Sequence, residues 1–188
     1  VVAGLVGQDY ESLQYLFFLV GPDDEVRQAY ESHIAQHLPL SAVRKVEGNP
    51  GYGPTQNAAA RLVEGDNGLF LFLHDDVCLA SNAVSELVTE LSRSNAAVVG
   101  PKLVQWDDPS LLQHVGMGVD RCGEIDPIVL PGEKDQQQHD AVADVFCLPS
   151  ACLLVRSDLF RTLGSFHPGI TFGGEEIDLC WRVHLTGG

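Results

Sequence analysis

Apolar residues occur in short unbroken runs along this chain, and each run leads through turn residues into a segment with helical spacing. The most apolar run, 69–73, is bounded by Asp66-Asn67-Gly68 and ends in acidic residues. Short runs that are apolar at every position are typical of strands covered on both faces, as in a parallel sheet. Over 25–37 and 84–91, apolar residues recur three and four positions apart, which predicts helices. The alternation predicts an α/β fold with a mostly parallel sheet flanked by helices.

The predicted elements can be placed along the chain. They are the end of a helix within 1–10; strands at 13–20, 42–46, 69–73 and 96–100; helices at 25–37, 55–65, 81–95 and 158–163; a strand over 145–155 that Pro149 splits; and a helix from Glu175. Thr55, Ser81 and Ser157 are the expected N-cap residues, because a hydroxyl can accept a hydrogen bond from a free N–H of the first turn.

The pattern fails between residues 107 and 144. This segment has glycines at 116, 118, 123 and 132 and a polar run at 133–140. A long irregular insertion in a compact domain is usually functional or mobile. We expect a hairpin together with a lid or substrate loop. His114 and His139 lie here, and for each the alternative is a solvated side chain without a role.

Composition narrows the class of protein. The 188 residues suit one domain, and we expect a single domain over 1–188, as a piece of a longer protein without its first strand and C-terminal part. The net charge of −15, from 11 basic and 26 acidic residues, argues against nucleic acid or an anionic membrane as partner. No run approaches the roughly 20 apolar residues of a membrane span, and no signal-peptide pattern occurs.

The cysteines favour a reducing compartment. There are five, an odd number, without the close paired spacing of a zinc site. We interpret them as reduced core residues; they are Cys78, Cys122, Cys147, Cys152 and Cys180.

The first candidate site is the pair Asp75-Asp76, directly after the 69–73 run. In open α/β sheets, ligands bind where the carboxyl ends of strands emerge. Two carboxylates there can hold a hard divalent cation. The alternative is that both side chains cap a turn and face water.

A glycine-rich loop at 47–54 precedes the helix predicted at 55–65. Such a loop lets backbone N–H groups approach an anionic ligand at the positive end of a helix. Asn49 and Asn57 add amides that could bind a base or a sugar hydroxyl. The alternatives are a loop that only reverses the chain and asparagines that bond their own backbone.

A second acidic group, Glu175, Glu176 and Asp178, opens the last predicted helix. The helix dipole favours the ionised form of acids in a first turn, and a general base must be ionised before it takes a proton. The alternative is that the glutamates are ordinary first-turn acids and that Asp178 pairs with Arg182 four residues later.

Five motifs in this order and spacing carry a resemblance that covers nearly the whole chain. They are Asn49-Pro50-Gly51-Tyr52-Gly53 with Asn57, Phe72-Leu73-His74-Asp75-Asp76, Val99-Gly100-Pro101-Lys102-Leu103, Leu153-Leu154-Val155-Arg156, and Gly174-Glu175-Glu176-Ile177-Asp178-Leu179-Cys180-Trp181-Arg182. The set resembles the family 2 inverting glycosyltransferases with the GT-A fold, a Rossmann-like α/β fold, in particular the rhamnosyltransferase-like and galactofuranosyltransferase-like bacterial branch.

The resemblance implies metal-dependent transfer of a sugar from a nucleotide-diphosphate donor to a glycan or glycolipid acceptor hydroxyl, with inversion. It places Mg²⁺ or Mn²⁺ on Asp75 and Asp76, with Asp75 also near the donor diphosphate. His74 stands where the family has Asp, so ligation either rests on Asp76 or includes His74. The family pattern implies a cell-envelope product made in the cytoplasm or at the inner face of the membrane.

The resemblance also implies a donor site and a base. Its loop motif places Asn49, Gly51 and Asn57 in the donor site. Its acidic pair maps to Glu175-Glu176, with Glu176 as the base where the family normally has Asp. Two assignments stay open. Asp23 or Asp24 could replace the family's aspartate that contacts the nucleoside. Trp181 could shape the acceptor side or pack in the core.

Two other functions are compatible with the sequence. One is a GT-A module that binds a sugar or nucleotide without catalysis, which the change at His74 allows. The other is a nucleotidyltransferase on a similar sheet, which would release pyrophosphate instead of a nucleoside diphosphate.

Overall fold

The computed structural model describes residues 1–21 and 23–187, and its strands and helices alternate as the sequence predicts. In chain order the elements are α1 (Val2–Val6), β1 (Leu16–Val20), α2 (Asp24–His37), β2 (Ala42–Val46), α3 (Tyr52–Arg61), β3 (Leu69–Leu73), α4 (Ala83–Ser94), β4 (Val98–Val99), β5 (Leu103–Val104), β6 (Leu112–His114), β7 (Met117–Val119), β8 (Ile125–Pro127), β9 (Cys152–Arg156), α5 (Ser157–Thr162) and α6 (Glu175–Leu185). The α/β fold class is confirmed. Pro22, in the turn predicted after the first strand, lies outside the described residues.

The strands form a parallel pair and a three-stranded sheet. β1 and β2 are parallel, with Leu16 opposite Ala42. β9 lies between β3 and β4 and is antiparallel to both, with Leu73 opposite Cys152. β3 and β4 therefore run in the same direction on either side of β9. An apolar run carries no information on direction, so the antiparallel β9 was not foreseen.

β9 forms the centre of the core. Cys152 and Leu154 point to the face covered by α4, whereas Leu153 and Val155 point to the opposite face. This alternation follows from the two-residue period of a strand. All four side chains are at most 2% exposed. The expected burial on both faces is thus complete in β9 and only partial in β3, where Leu69 is 36% exposed.

The face with Leu153 and Val155 also fixes the start of α6. Its aromatic cluster joins Phe72 of β3, Phe160 of α5 and Phe166, with ring centroids 4.9 to 5.1 Å apart. Leu179 of α6 is fully buried in the same cluster. Burial of such a side chain stabilises the fold by about 1.5–3 kcal/mol. Packing therefore holds the first turn of α6 close to the end of β3.

The three predicted N-caps are wrong. α3 begins before Thr55, whose hydroxyl instead donates to the carbonyl of Gly51 at 2.7 Å. α4 begins two residues after Ser81. Ser157 is the first residue of α5, and its hydroxyl accepts from the N–H of Gly68 at 3.2 Å. The hydroxyls of Thr55 and Ser157 are thus bonded to other groups, and Ser81 lies before the N-cap residue of α4. Local sequence shows none of these three outcomes.

The insertion contains the expected hairpin, formed by β7 and β8. Its polar run is fastened to the domain, because Lys102 Nζ lies 2.6 Å from Asp135 and also contacts Asp140. His139 lies 3.3 Å from Glu133. A lid function for this segment stays a prediction.

The remaining predictions concern thiols and membranes. All five cysteines are free, but core burial is confirmed for Cys147, Cys152 and Cys180 and wrong for the exposed Cys78 and Cys122. In the ranges that the structure describes, no helix has the length and apolar character needed to cross a lipid bilayer.

Candidate active site

The acidic turn follows the last residue of β3. The N–H of His74 donates to the carbonyl of Ala151 at 3.0 Å, which ties the turn to the segment before β9. Asp75 and Asp76 are exposed. Across residues 1–21 and 23–187, no three His, Cys, Asp or Glu side chains are grouped to hold a metal ion. Two free carboxylates nevertheless fit Mg²⁺ or Mn²⁺ when waters and substrate phosphates supply the other ligands.

Unlike the exposed Asp75 and Asp76, His74 contacts other side chains of the protein. Its Nε2 lies 3.2 Å from Ser150 Oγ, and its ring meets the Tyr52 ring edge-on at 4.7 Å. Nε2 is therefore occupied, and Nδ1 is the nitrogen that could reach a metal. The predicted membership of His74 in a metal site gains no support from this geometry.

Ser150 connects His74 to the first turn of α6. Its hydroxyl donates to Glu175 Oε1 at 3.3 Å, and its carbonyl accepts from the Tyr52 hydroxyl at 3.1 Å. Ser150 and Glu175 are 6% and 3% exposed. We call His74, Ser150 and Glu175 the serine bridge. It joins the turn after β3 to the helix that carries the predicted base.

Glu176 is the partly buried neighbour of Glu175. Burial raises the pKa of its carboxyl, and the charge of Glu175 adds to this, against the lowering by the backbone N–H groups of Glu176 and Gly174. The sequence suggested that the helix N-terminus would favour the ionised form; in the structure, burial outweighs that effect. Within the described part of the chain, the Oε2 atoms of Glu175 and Glu176 are buried without a hydrogen-bond partner.

The same two carboxylates affect the pKa of the Tyr52 phenol. Burial, followed by the charges of Glu175 and Glu176, raises the pKa of the Tyr52 phenol above its ordinary value. The hydroxyl therefore stays protonated and available as a donor to Ser150 at neutral pH.

The glycine-rich loop packs on the loop before α6. Gly51 has φ +97°, and a Cβ there would lie 1.9 Å from the carbonyl oxygen of Thr171. The N–H of Tyr52 donates to that oxygen at 2.9 Å. Asn49 Oδ1 accepts from the N–H of Gly51 at 3.1 Å, so this asparagine bonds its own backbone, as the alternative expected.

Asn57 also has a structural partner. Its Nδ2 donates to the carbonyl of Phe166 at 2.8 Å and its Oδ1 accepts from the N–H of Phe166 at 3.0 Å, in a buried position. A place for Asn57 in the donor site stays a prediction, and this geometry gives the amide another task. Like Gly51, it holds the loop before α6 against α3.

The acids near α2 and in α6 are mostly paired. Asp178 binds Arg182 at 2.5 Å, as the alternative proposed. Asp23 Oδ1 accepts from the N–H of Val26 at 3.0 Å, and Asp24 pairs with Arg27 at 3.2 Å, so both stabilise α2. Trp181 is 43% exposed, which excludes a core position.

Sequence reasoning missed Ser150 and the hydroxyl of Tyr52. A signal for Ser150 was present, because it is the hydroxyl-bearing residue in the otherwise apolar run 145–155, directly after Pro149. A polar side chain buried in such a run needs a hydrogen-bond partner. Which partner it has depends on the antiparallel placement of β9, which the sequence did not show.

Known proteins that are similar to this chain over more than half of its length include a biosynthesis protein and a glycosyltransferase. An O-antigen biosynthesis protein, RfbC, of Myxococcus xanthus is 26% identical over 146 residues, covering 72% of this chain and 11% of that protein. A pre-mycofactocin glycosyltransferase of Mycobacterium tuberculosis is 29% identical over 119 residues, covering 62% of this chain and 23% of that protein. The chain thus spans less than a quarter of the length of these relatives.

A crystal structure of GalNAc-T7 with UDP, GalNAc and Mn²⁺ has the same fold, with a TM-score of 0.64 over 97% of this chain and 35% of that one, at 14% identity. The family profile named Glycosyl transferase family 2 matches residues 1–164, so Glu175 and Glu176 lie just beyond the matched region. That match covers most of the 188 residues, and the chain accordingly belongs to glycosyl transferase family 2, with a GT-A fold.

Proposed function

We propose that this domain transfers a sugar from a nucleotide-diphosphate donor to an acceptor hydroxyl with inversion, and that Glu176 is the general base. The observation that carries the proposal is the position of Glu176, a partly buried carboxylate in the first turn of α6. The serine bridge holds this turn beside the strand end that carries Asp75 and Asp76. Membership of the family supports glycosyl transfer as the reaction class.

The environment of Glu176 suits a base. Its raised pKa makes the carboxylate a stronger proton acceptor than an exposed glutamate. Among the described residues its buried Oε2 has no hydrogen-bond partner, so the acceptor capacity of this oxygen is unused within the protein. Glu175 is deeper in the protein and bonded to Ser150, so we assign it a supporting role.

Asp75 and Asp76 are the residues that would hold Mg²⁺ or Mn²⁺ in this proposal. A bound cation would offset charge on the departing nucleoside diphosphate. The chain itself is strongly acidic, with a net charge of −15, so a diphosphate needs such local compensation. The GT-A neighbour crystallised with UDP and Mn²⁺ supports this assignment by analogy.

The acceptor is proposed to be a bacterial cell-envelope polysaccharide or glycolipid, which the O-antigen relative supports. An open cleft of about 460 Å³ runs along the face of α6 that carries Ile177, Trp181 and Leu185. An aromatic side chain at the edge of such a cleft can pack on the apolar face of a sugar ring.

The test uses the full-length protein and a panel of nucleotide sugars, with release of the nucleoside diphosphate as the readout. Replacement of Glu176 by Gln should lower kcat by about 10²–10⁴-fold. Glu86→Gln is the matched control, because Glu86 is an exposed acid in the first turn of α4. Sugar transfer by Glu176→Gln at the rate of the control would contradict the assignment of the base.

A binding module without catalysis is the second candidate. It is favoured by His74, which stands where the resemblance implies Asp and whose Nε2 lies against Ser150 Oγ. Metal-dependent nucleotide binding without transfer to any acceptor would support it, and release of pyrophosphate would instead indicate a nucleotidyltransferase.

A further inference from the structure

We propose that Ser150 is a positioning residue, which locks His74 and Glu175 into one hydrogen-bonded unit and thereby fixes the metal-side turn relative to the base-bearing turn of α6. This inference rests on the proposed function for its effect on catalysis. The serine bridge itself consists of hydrogen bonds among three side chains, so its existence can be tested separately from catalysis.

The geometry shows that Ser150 joins two distant parts of the chain. Its Oγ lies 3.2 Å from His74 Nε2 and 3.3 Å from Glu175 Oε1, although these residues are 76 and 25 positions away in sequence. Its backbone carbonyl is bound by the Tyr52 hydroxyl at 3.1 Å. The Tyr52 ring also packs on His74, so the serine is held from both sides.

The direction of the hydrogen bond from Ser150 to Glu175 decides which nitrogen of His74 has to donate. A serine hydroxyl has a single proton, and here it donates to Glu175. The oxygen of Ser150 must then accept from His74, which requires the proton of the neutral imidazole to be on Nε2. The bridge therefore selects one tautomer of His74 and leaves Nδ1 as its acceptor nitrogen.

A second buried serine shows what a purely structural role would be. Ser157 is 1% exposed, and its hydroxyl accepts from the backbone N–H of Gly68. The hydroxyl of Ser150 instead contacts two ionisable side chains, which lie next to Asp75 and to Glu176 in sequence. Loss of Ser157 should affect folding, whereas loss of Ser150 should affect the relative placement of the two turns.

The first experiment compares Ser150→Ala with Ser157→Ala in the full-length protein. Displacement of reacting groups by about 1 Å can cost about 100-fold in rate. We expect Ser150→Ala to lower kcat by about 10- to 100-fold with little change in the KM for the donor. Ser157→Ala should lower the Tm but leave kcat unchanged, and Ser150→Thr, which keeps the hydroxyl, should recover part of the lost rate.

The second experiment reads the tautomer of His74 by ¹⁵N NMR at mildly alkaline pH. The unaltered protein should carry the proton on Nε2, and Ser157→Ala should as well. Ser150→Ala should shift the population toward the other tautomer. Glu175→Gln should do the same, because the amide can donate to Ser150 and release its hydroxyl proton toward His74; it serves if Ser150→Ala does not fold.

The outcomes separate the two proposals. An unchanged His74 tautomer in a folded Ser150→Ala variant, or an unchanged kcat in an active one, would overturn the role of Ser150. If the unaltered protein transfers no sugar, the proposed function fails, while the NMR result still decides whether the bridge exists.

Discussion

Replacement of Gly51 by Ala tests whether the glycine-rich loop and the loop before α6 lie as close as the structure shows. The new Cβ would lie 1.9 Å from the carbonyl oxygen of Thr171 and 2.6 Å from its carbonyl carbon. Both atoms belong to backbone, so no side-chain rotation relieves the overlap. The φ of +97° is also unfavourable for a residue with a side chain.

The loss in the free energy of unfolding of Gly51→Ala is the sum of three effects. Positive φ costs about 1–3 kcal/mol, overpacking about 1–3 kcal/mol, and loss of the hydrogen bond from Tyr52 to Thr171 about 1 kcal/mol. Gly51→Ala should therefore lower the free energy of unfolding by at least about 3 kcal/mol. Urea unfolding of the full-length protein measures this, followed by tryptophan fluorescence, to which Trp181 in the adjacent helix and Trp106 contribute.

Gly48→Ala is the matched control. Gly48 has φ +67°, but no atom of residues 1–21 or 23–187 outside its chain neighbours lies within 4 Å of a Cβ built there. Gly48→Ala places a side chain at an unfavourable φ without any overlap, so it should cost about 1 kcal/mol. Equal stability of the two variants would show that the glycine-rich loop and the loop before α6 are further apart than described.

Three further predictions follow from the site. Because burial raises the pKa of Glu176 above its ordinary value of 4.5, the native state binds the extra proton, so stability should fall as pH rises from 4.5 through the raised pKa. Glu176→Gln should then have a higher Tm than the unaltered protein at neutral pH, with the difference vanishing below pH 4.5, and equal values at every pH would contradict the burial. Asn57→Ala should cost about 2–5 kcal/mol because it removes the side-chain partners of both the N–H and the carbonyl of Phe166. Asn82→Ala should change stability by less than about 0.5 kcal/mol, because this N-cap side chain makes no capping hydrogen bond within the described residues. Normal stability of Asn57→Ala with lost donor binding would instead support a donor-site role. Asp75→Ala and Asp76→Ala should abolish Mn²⁺-dependent binding of nucleoside diphosphates in calorimetric titrations while leaving the Tm unchanged, since both are exposed, and retained affinity would remove the metal assignment.

Much of the fold could be predicted because its elements are encoded by local patterns. The 3.6-residue period of α4 and the apolar runs of β1, β3 and β9 are visible in the chain itself. Helix starts were less predictable, since Thr55, Ser81 and Ser157 all have the chemistry of an N-cap. Which hydroxyl caps a helix depends on its other hydrogen-bond partners, here Gly51 at the start of α3 and Gly68 in the turn before β3.

The candidate site was predictable residue by residue but not as an assembly. Asp75, Asp76 and Glu176 stand out by their position after a strand or at a helix start. The link between them depends on Ser150, which reaches both sides only because β9 is inserted between β3 and β4. Burial likewise reversed the expected effect of the helix terminus on Glu176, and burial is a property of the packed chain.

The central position of β9 has a consequence for synthesis of the protein. β3 and β4 are made early, but the strand that pairs with both is complete only when Arg156 has left the ribosome. Until then, each has an open edge on the side that β9 will occupy. Open apolar edges pair readily with other chains. A nascent chain stalled before β9 emerges should therefore be prone to aggregation and a substrate for chaperones, whereas one stalled after α5 has emerged already holds its three-stranded sheet.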